Sequence, residues 1–385
     1  MIPFIDLNSQ YQAIKVKVQK RVIEVLDSGQ YIMGPEIEKI EEQLNAFSES
    51  KYCISCASGT DALVMALYSK GVKPGDYIIT TPFTFIATAE SILLVGAIPI
   101  FIDIDPHTYN LSPQELEKAL GNLNQLVPKA ADKNIKDHLK GIIAVDLFGL
   151  PSEYEKINTI AQQHNLFVIA DAAQSYGAQS PLGKVGQLAE ITTTSFFPAK
   201  PLGAYGDGGA VFTDDEALAQ ALKSIRVHGQ GTERYQHTRI GITGRLDAIQ
   251  AVVLQEKLPI FNDELTARNK VAAYYHQKLA ATSLITQTIP EGYQSAWAQY
   301  CIQAKDTAQR EALMAALNAA DIPAAIYYPI PLHLQPVFQH LGYTEGDFPI
   351  CEAISKKIFA IPMHPYLDTE TMDSICDTLY KTLEH

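Results

Sequence analysis

Positive charge is scarce in this chain, and long apolar segments are absent. The 385 residues include 30 lysines and arginines against 43 aspartates and glutamates, which gives a formal net charge of -13. A chain this acidic is not expected to use nucleic acid or an anionic membrane as its main partner. No apolar run reaches the roughly 18 residues that would cross a bilayer. An anionic substrate would therefore need a local basic pocket.

Cysteine is also rare, with five scattered residues. An odd number of scattered cysteines is typical of a reducing compartment, and the first residues lack the basic and apolar regions of a signal peptide. We therefore expect a cytoplasmic protein. Cys53 and Cys56 form a C-x-x-C, but residues three apart on a strand point to opposite faces, so core packing is favoured over a metal or redox site. Asp103 and Asp105 similarly favour a turn and a helix cap over metal ligation.

Strands and helices alternate along the chain from residue 52 to about residue 213. This alternation predicts a mostly parallel α/β sheet that is covered on both faces, with ligands at the carboxyl ends of the strands. After residue 213 the pattern changes to a smaller α+β domain, with a long helical run that we expect to break near Pro259. We predict a large domain over 30–255 and a small one over 256–385, with residues 1–29 packing near the small one. Residues 121–140 are polar and predict a surface excursion.

Polar residues follow several of the predicted strands. Ser58, Gly59 and Thr60 stand between a strand and a helix, where free backbone N–H groups and the helix dipole favour a bound anion such as phosphate. The alternative is a simple helix N-cap at Ser58 or Thr60. Asp171 ends another strand and could pair with a protonated heterocyclic nitrogen, which Gln174 could also reach.

A loop rich in glycine, proline and aromatic residues runs from Ser195 to Gly209 and contains one lysine, Lys200. A buried lysine is a nucleophile for carbonyl groups when it is neutral. The loop alone does not decide between a structural turn and a Schiff-base lysine. With a phosphate site and Asp171 at neighbouring strand ends, however, the set matches what pyridoxal phosphate (PLP) needs, and Ser195 could add a phosphate contact.

Eight segments in order resemble the DegT/DnrJ/StrS family of sugar aminotransferases over nearly the whole chain. Members of this family are PLP-dependent enzymes of fold type I, the aspartate aminotransferase-like fold. The resemblance therefore implies a large PLP-binding domain and a smaller α+β C-terminal domain. The matching segments are residues 4–7, 29–35, 58–62, 82–88, 171–175, 195–203, 245–247 and 328–333.

The resemblance implies a role for each matching residue. Lys200 would carry PLP covalently and move the proton during amino transfer, and Asp171 would pair with the pyridine nitrogen. Gln174 would contact the ring oxygen, and Phe85 would stack on the ring, although core packing is the alternative for this phenylalanine. Phosphate would be held by Gly59, Thr60 and Ser195, and by Thr243 from a neighbouring subunit, where the family usually has Asn.

The resemblance also implies substrates and an assembly. L-Glutamate would be the amino donor, and homodimers would share their active sites. Three segments are similar to those of family members that act on UDP-2-acetamido-2-deoxy-3-keto-glucuronate in lipopolysaccharide biosynthesis, and a dTDP-3-keto-6-deoxyhexose is the alternative acceptor. The candidate substrate residues are Arg245, whose alternative is an intersubunit ion pair, Tyr327, where the family often has His, Tyr328 and His333.

Two other classes of protein share this resemblance but fit the sequence less well. A sugar dehydratase of the same fold would have histidine in place of Lys200. A transcription regulator would need a DNA-binding extension, and residues 1–30 are too short and not basic enough for one.

Overall fold

A seven-stranded sheet forms the centre of residues 2–122 and 135–384, which the computed structural model describes. The strands are β1 (Tyr52–Cys56), β2 (Tyr77–Thr80), β3 (Ile98–Phe101), β4 (Leu139–Val145), β5 (Phe167–Asp171), β8 (Ile191–Ser195) and β9 (Gly209–Thr213), with a separate small hairpin of β6 (Gln179–Ser180) and β7 (Gly183–Lys184). The strand order in the large sheet is β1-β9-β8-β5-β4-β2-β3. All pairs are parallel except those of β9, which runs antiparallel to both its neighbours. The predicted mostly parallel α/β sheet is therefore confirmed.

Helices cover both faces of this sheet. Along β4, Ile142 and Ala144 face one apolar cluster while Ile143 faces another, as the period of two in a strand requires. Because both faces are buried, the central strands are apolar at nearly every position. The helices up to this point of the chain are α1 (Leu7–Ser28), α2 (Pro35–Ser48), α3 (Gly59–Ser69), α4 (Ala87–Leu94), α5 (Pro113–Leu120), α6 (Ile135–His138), α7 (Tyr154–Gln163) and α8 (Glu216–Ile225).

A second, three-stranded antiparallel sheet lies in the C-terminal part of the chain, with the order β10-β11-β12. A separate apolar cluster packs its residues against the neighbouring helices. These elements form the expected smaller α+β unit. They are α9 (Ala248–Leu279), β10 (Ile285–Thr286), β11 (Tyr300–Gln303), α10 (Thr307–Ala319), α11 (Pro349–Ser355), β12 (Ile358–Ile361) and α12 (Thr369–Leu383).

The long helix α9 corrects one expectation. It continues through Pro259, so the predicted break at that residue is wrong. A proline removes one backbone hydrogen bond, but here buried residues occur along the whole helix where it packs against other elements, and this packing outweighs the local loss. The helix also runs across residue 255, where we placed the boundary between the two domains. The division into 30–255 and 256–385 stays a prediction.

The N-terminal segment contacts both parts of the chain. Ile14 and Val18 of α1 pack with Val253 of α9 and with Tyr205, which lies between β8 and β9 of the large sheet, whereas Ile2 packs against the apolar cluster of the small sheet. The predicted surface excursion at 121–140 falls mostly on residues 123–134, which lie outside the described residues.

The two patterns that resembled metal sites are structural. Cys53 and Cys56 face different apolar clusters on opposite sides of the sheet, and both thiols are free. Asp103 accepts hydrogen bonds from the backbone N–H groups of Ile350 (2.9 Å) and Cys351 (3.0 Å) and so fixes the start of α11. Within 2–122 and 135–384, no group of three His, Cys, Asp or Glu side chains is placed to hold a metal, and no helix is long and apolar enough to cross a membrane.

Candidate active site

The turn between β1 and α3 combines a helix cap with an unusually close approach to Ser195. Ser58 Oγ accepts a hydrogen bond from Asp61 N at 3.0 Å, so Ser58 is the N-cap of α3, the alternative that the sequence left open. A Cβ placed on Gly59 would lie 2.7 Å from Cβ of Ser195, so only glycine allows this approach. The first N–H groups of a helix have no partners within the helix. The N-terminus of α3, next to Ser195, can therefore still bind an anion.

Asp171 ends β5 with a buried carboxylate, and its side chain is 5% exposed. Thr88 Oγ1 donates to Oδ2 at 2.7 Å, and Ala173 N donates to Oδ1 at 3.2 Å. Burial raises the pKa of Asp171, while the hydrogen bond from Thr88 and the nearby charge of Lys200 act in the opposite direction. A cation placed against this carboxylate would favour its ionised form.

A second carboxylate, Asp146, follows the adjacent strand β4. It accepts hydrogen bonds from Ser152 N (2.8 Å), Tyr154 Oη (2.7 Å) and Ser175 Oγ (2.6 Å). Burial raises the pKa of Asp146 to about 7, against the lowering effect of these donors. Since three protein donors surround Asp146, it supports the turn that follows Asp171 and does not face a ligand.

Gln174 is held in one orientation. Its Oε1 accepts a hydrogen bond from Phe148 N at 2.7 Å, while its Nε2 donates to Tyr328 Oη at 3.3 Å. The backbone donor therefore fixes which end of the amide is available as a donor beside Tyr328. This leaves the Nε2 group as the end that can contact a ligand.

Lys200 lies in a tight, half-buried loop, as the sequence predicted. Its backbone N donates to Phe197 O at 2.8 Å, and Ala204 N donates to Phe196 O at 2.7 Å. The hydrogen bonds among the described residues include none from Lys200 Nζ. Burial lowers the pKa of Lys200, and the negative charge of Asp171 partly opposes this effect. A lowered pKa increases the neutral fraction of the amine.

Aromatic side chains lie beside these polar groups. The ring of Phe85 is 54% exposed and its centroid lies 6.4 Å from that of Tyr328. Tyr327 lies between Tyr328 (5.7 Å) and Phe4 (6.3 Å). The exposure of Phe85 disfavours the core-packing alternative, because a core phenylalanine would be covered.

His333 lies away from this surface. Its side chain is 1% exposed, its Nε2 lies 3.0 Å from Glu352 Oε1, and its ring packs against Phe348 at 4.7 Å between centroids. This geometry does not support the predicted substrate contact, because the ring is covered by protein. The contacts of His333 with Glu352 and Phe348 hold the segment that follows Tyr327 and Tyr328 against the protein interior.

Thr243 and Arg245 lie on a different cavity from Lys200. Arg245 Nη2 donates to Thr243 Oγ1 at 2.6 Å, and both residues line a cavity of about 600 Å³ with Ser58 and Asp207. Lys200 is not among the residues that line this cavity. One chain therefore places Asp171 near Lys200 and Gly59 against Ser195, and it leaves Thr243 and Arg245 on a separate cavity.

Two residues of the site were missed from the sequence. Thr88 lies in the segment 82–88 that carried part of the family resemblance, yet nothing in its spacing indicated a contact with Asp171. Asp146 could have been found, because it follows an apolar strand directly, in the same way that Asp171 ends one.

Comparison with known proteins agrees with this arrangement. The model of the DegT/DnrJ/EryC1/StrS aminotransferase family matches residues 12–380. The chain belongs to this family. This aminotransferase is 44% identical over 379 residues to a Pseudomonas aeruginosa protein, the UDP-2-acetamido-2-deoxy-3-oxo-D-glucuronate aminotransferase, with 98% of this chain and 99% of the relative covered.

Solved structures place the aminotransferase in the same family. A DegT/DnrJ/EryC1/StrS aminotransferase from Brucella abortus has a TM-score of 0.93 at 41% identity, and each chain is fully covered. The Bacillus subtilis protein ntda, solved with bound cofactor PMP, has a TM-score of 0.89 at 27% identity, with 100% of this chain and 85% of the other covered. The expected aspartate aminotransferase-like fold is confirmed.

Proposed function

We propose that this aminotransferase uses PLP, bound covalently to Lys200, to move the amino group of L-glutamate to the 3-keto carbon of UDP-2-acetamido-2-deoxy-3-keto-glucuronate. The observation that carries the proposal is the position of Lys200, a half-buried residue in the loop after β8, close enough to the buried Asp171 at the end of β5 for their charges to interact. The Pseudomonas aeruginosa relative supports the choice of sugar.

The residues present fit PLP in three respects. The N-terminus of α3 offers backbone N–H groups where Gly59 closely approaches Ser195, which suits a phosphate. Asp171 is buried without an ion-pair partner among the described residues, which suits a protonated ring nitrogen. The amine of Lys200 is not engaged by another described side chain, which suits covalent attachment.

Each of these residues would then have one task. Bound PLP supplies an electron sink for the transfer. Asp171 would keep the ring nitrogen protonated, Gln174 would donate from Nε2 to the ring oxygen, and Phe85 would stack on the ring. Gly59 and Thr60 would bind the phosphate through backbone N–H groups and Ser195 through its hydroxyl.

Lys200 would also transfer the proton. Once the amino donor had displaced Lys200 from the cofactor, Lys200 would be a free amine whose pKa is lowered by burial, so its neutral Nζ would be able to take up and give back the proton of the reacting substrate carbon. The nearby carboxylate of Asp171 limits this lowering. Asp171 and Lys200 therefore need to be near each other, because the negative charge of Asp171 affects the protonation of Lys200.

The uronic acid adds a carboxylate to an already anionic UDP sugar. The chain has a net charge of -13, so local cations have to favour this substrate. Arg245 suits the task because a guanidinium can hold a carboxylate with two hydrogen bonds. Tyr327 and Tyr328 would border the sugar on the side of Phe85.

We infer that a second copy of the chain completes each site. Thr243 and Arg245 line a cavity without Lys200, so they would serve the site of the partner in a homodimer. Mixing Lys200→Ala chains with Arg245→Ala chains tests this inference. Sharing predicts that mixed dimers regain one native site and therefore activity, whereas sites within single chains predict no recovery.

The five cysteines also bear on where the enzyme works. All are buried and free, as expected in a reducing compartment. We propose the cytoplasm.

The decisive experiment separates donor from acceptor. The PLP form is treated with L-glutamate, the loss of the visible cofactor band is recorded, and excess glutamate is removed. The UDP-keto-uronate should then restore the band. Restoration by a dTDP-3-keto-6-deoxyhexose alone would favour the alternative acceptor, and no response to glutamate would contradict the proposed donor.

A further inference from the structure

Two side chains of α9 contact the Lys200 loop, and one of them, Gln250, also lines the cavity of Thr243 and Arg245. Lys257 Nζ donates to Gly203 O at 2.6 Å, and Gln250 Oε1 accepts a hydrogen bond from Tyr205 N at 2.9 Å. Gln250 and Lys257 are seven residues apart, or two helical turns, so both side chains project from the same face of the helix. The loop is therefore attached to this helix at two points that follow Lys200 closely.

Lys257 is fully buried, which is unusual for a lysine. Its ammonium lies 4.1 Å from the ring centroid of Tyr205. Burial lowers the pKa of Lys257 to about 7, and the negative charge of Glu264 on the same helix opposes this lowering. Burying an amine costs free energy unless it is hydrogen-bonded. The Gly203 carbonyl is the hydrogen-bond acceptor that the structure provides.

Gly203 cannot move without moving the residues around Lys200. A Cβ placed on Gly203 would lie 2.4 Å from Pro198 O, so the loop folds tightly back on itself at this point. The backbone of Ala204 is bonded to Phe196, on the other side of Lys200. A shift of the Gly203 carbonyl would therefore be passed to both ends of the turn that carries Lys200.

We propose that Lys257 and Gln250 are positioning residues for Lys200. They hold the carbonyl of Gly203 and the N–H of Tyr205, and this fixes where the amine of Lys200 lies. The claim that these contacts matter for catalysis rests on the proposed role of Lys200. The claim that they hold the loop in place does not.

Hydrogen exchange of the protein without cofactor tests whether the two contacts hold the loop in place. Lys257→Met removes the ammonium but keeps the length of the side chain, and Gln250→Leu removes the other contact. We expect the backbone amides of residues 196–209 to exchange about tenfold faster in each variant, the effect of losing about one hydrogen bond. Lys270→Met is the matched control, since Lys270 is an exposed lysine on the same helix, and its exchange should equal that of the wild type. Unchanged exchange in both test variants would overturn the proposal.

Two readouts of the loaded enzyme separate positioning from general stability. We expect kcat to fall about tenfold or more in Lys257→Met while KM for glutamate changes by less than about twofold, because Lys257 does not contact substrate. The pH at which the visible band of the lysine-bound cofactor titrates should shift as well. A lower Tm with wild-type kcat and an unshifted titration would show that Lys257 is only structural.

Failure of the proposed function can be told apart from failure of the positioning role. If the wild type and every variant lacked a visible cofactor band, the proposed function would fail, yet the exchange measurement would still decide the attachment of the loop. If Lys257→Met does not fold, Gln250→Leu provides the same exchange and titration measurements.

Discussion

The two halves of the candidate site are built differently. Asp171 and Ser195 end strands, and Lys200 lies in the tight loop that follows Ser195; backbone hydrogen bonds or buried contacts fix each of them. Thr243 and Arg245 instead lie in the irregular chain before α9, on the edge of an open cavity. The first half is shaped by the sheet, and the second half is shaped by loops.

This difference separates chemistry from selectivity. Groups that hold one cofactor need the same geometry in every catalytic cycle, and rigid elements provide it. Groups that choose among sugars lie on loops, which tolerate change without disturbing the sheet. We therefore expect substitutions of the proposed cofactor residues in the strand-end half to abolish the chemistry for all substrates, and substitution of Arg245 in the loop half to change the preference among them.

The most severe test of the strand-end half is Lys200→Ala. We expect loss of the visible band of the lysine-bound cofactor and a fall of about 10⁴-fold or more in the glutamate half-reaction, because both the covalent attachment and the proton carrier are lost. Absorbance spectra and single-turnover kinetics measure the two effects. Lys223→Ala, at an exposed lysine on α8, is the control and should behave as the wild type. A Lys200→Ala protein that still converts glutamate would break the assignment.

Asp171→Asn should have the next largest effect. A neutral amide cannot hold the ring nitrogen protonated, so we expect PLP to bind while the proton shift slows by about 10² to 10³-fold. Single-turnover kinetics with glutamate measures the slowing.

Asp146→Asn is the matched control for Asp171→Asn, because Asp146 follows the adjacent strand but faces protein donors. It should lower the free energy of unfolding by about 1 to 3 kcal/mol, since the new amide N–H₂ cannot accept the bonds that the carboxylate accepted. If the proton shift slowed equally in both variants, the slowing would come from losing a carboxylate at the end of a strand and not from losing a contact with the cofactor ring.

The strand-end half was also the half that the sequence made predictable. A strand that ends on Asp171, and a strand followed by Ser58, Gly59 and Thr60, are local patterns whose meeting point follows from the topology of a parallel sheet. The loop rich in glycine and proline pointed to Lys200, the short spacing from Asp171 pointed to Gln174, and the family resemblance then gave each residue a role. Local patterns did not show that the backbone of Phe148 orients Gln174, because that contact joins residues 26 positions apart.

Other features depend on tertiary contacts that local signals do not show. Pro259 reads as a helix break, but burial of α9 keeps the helix continuous. His333 reads as a polar residue of the substrate segment, but Glu352, 19 residues further along the chain, draws it into the interior. The sequence did not indicate the contact of Lys257 with the Lys200 loop, since its partner Gly203 lies 54 residues away.

Arg245→Ala tests the loop half with a smaller expected effect. Losing a guanidinium that holds a carboxylate should raise KM for the UDP-keto-uronate about 10 to 100-fold, and should change KM for a UDP-keto sugar without the carboxylate by less than about threefold. Steady-state kinetics with the two sugars measures the difference. Equal losses for both sugars would favour the alternative of an intersubunit ion pair for Arg245.

Thr243→Val should have the smallest effect and is the finest test of how the halves meet. Thr243 Oγ1 already accepts a bond from Arg245, so only its own hydroxyl proton is available for a phosphate of the partner's site. Removing one such hydrogen bond should weaken PLP binding about 3 to 10-fold, as measured by cofactor release from the dimer. Thr243→Asn restores the amide donor that is usual in the family and should bind PLP at least as well as the wild type. If Thr243→Val released PLP at the wild-type rate, the cofactor would be held by the strand-end half alone, and the loop half would serve only the sugar.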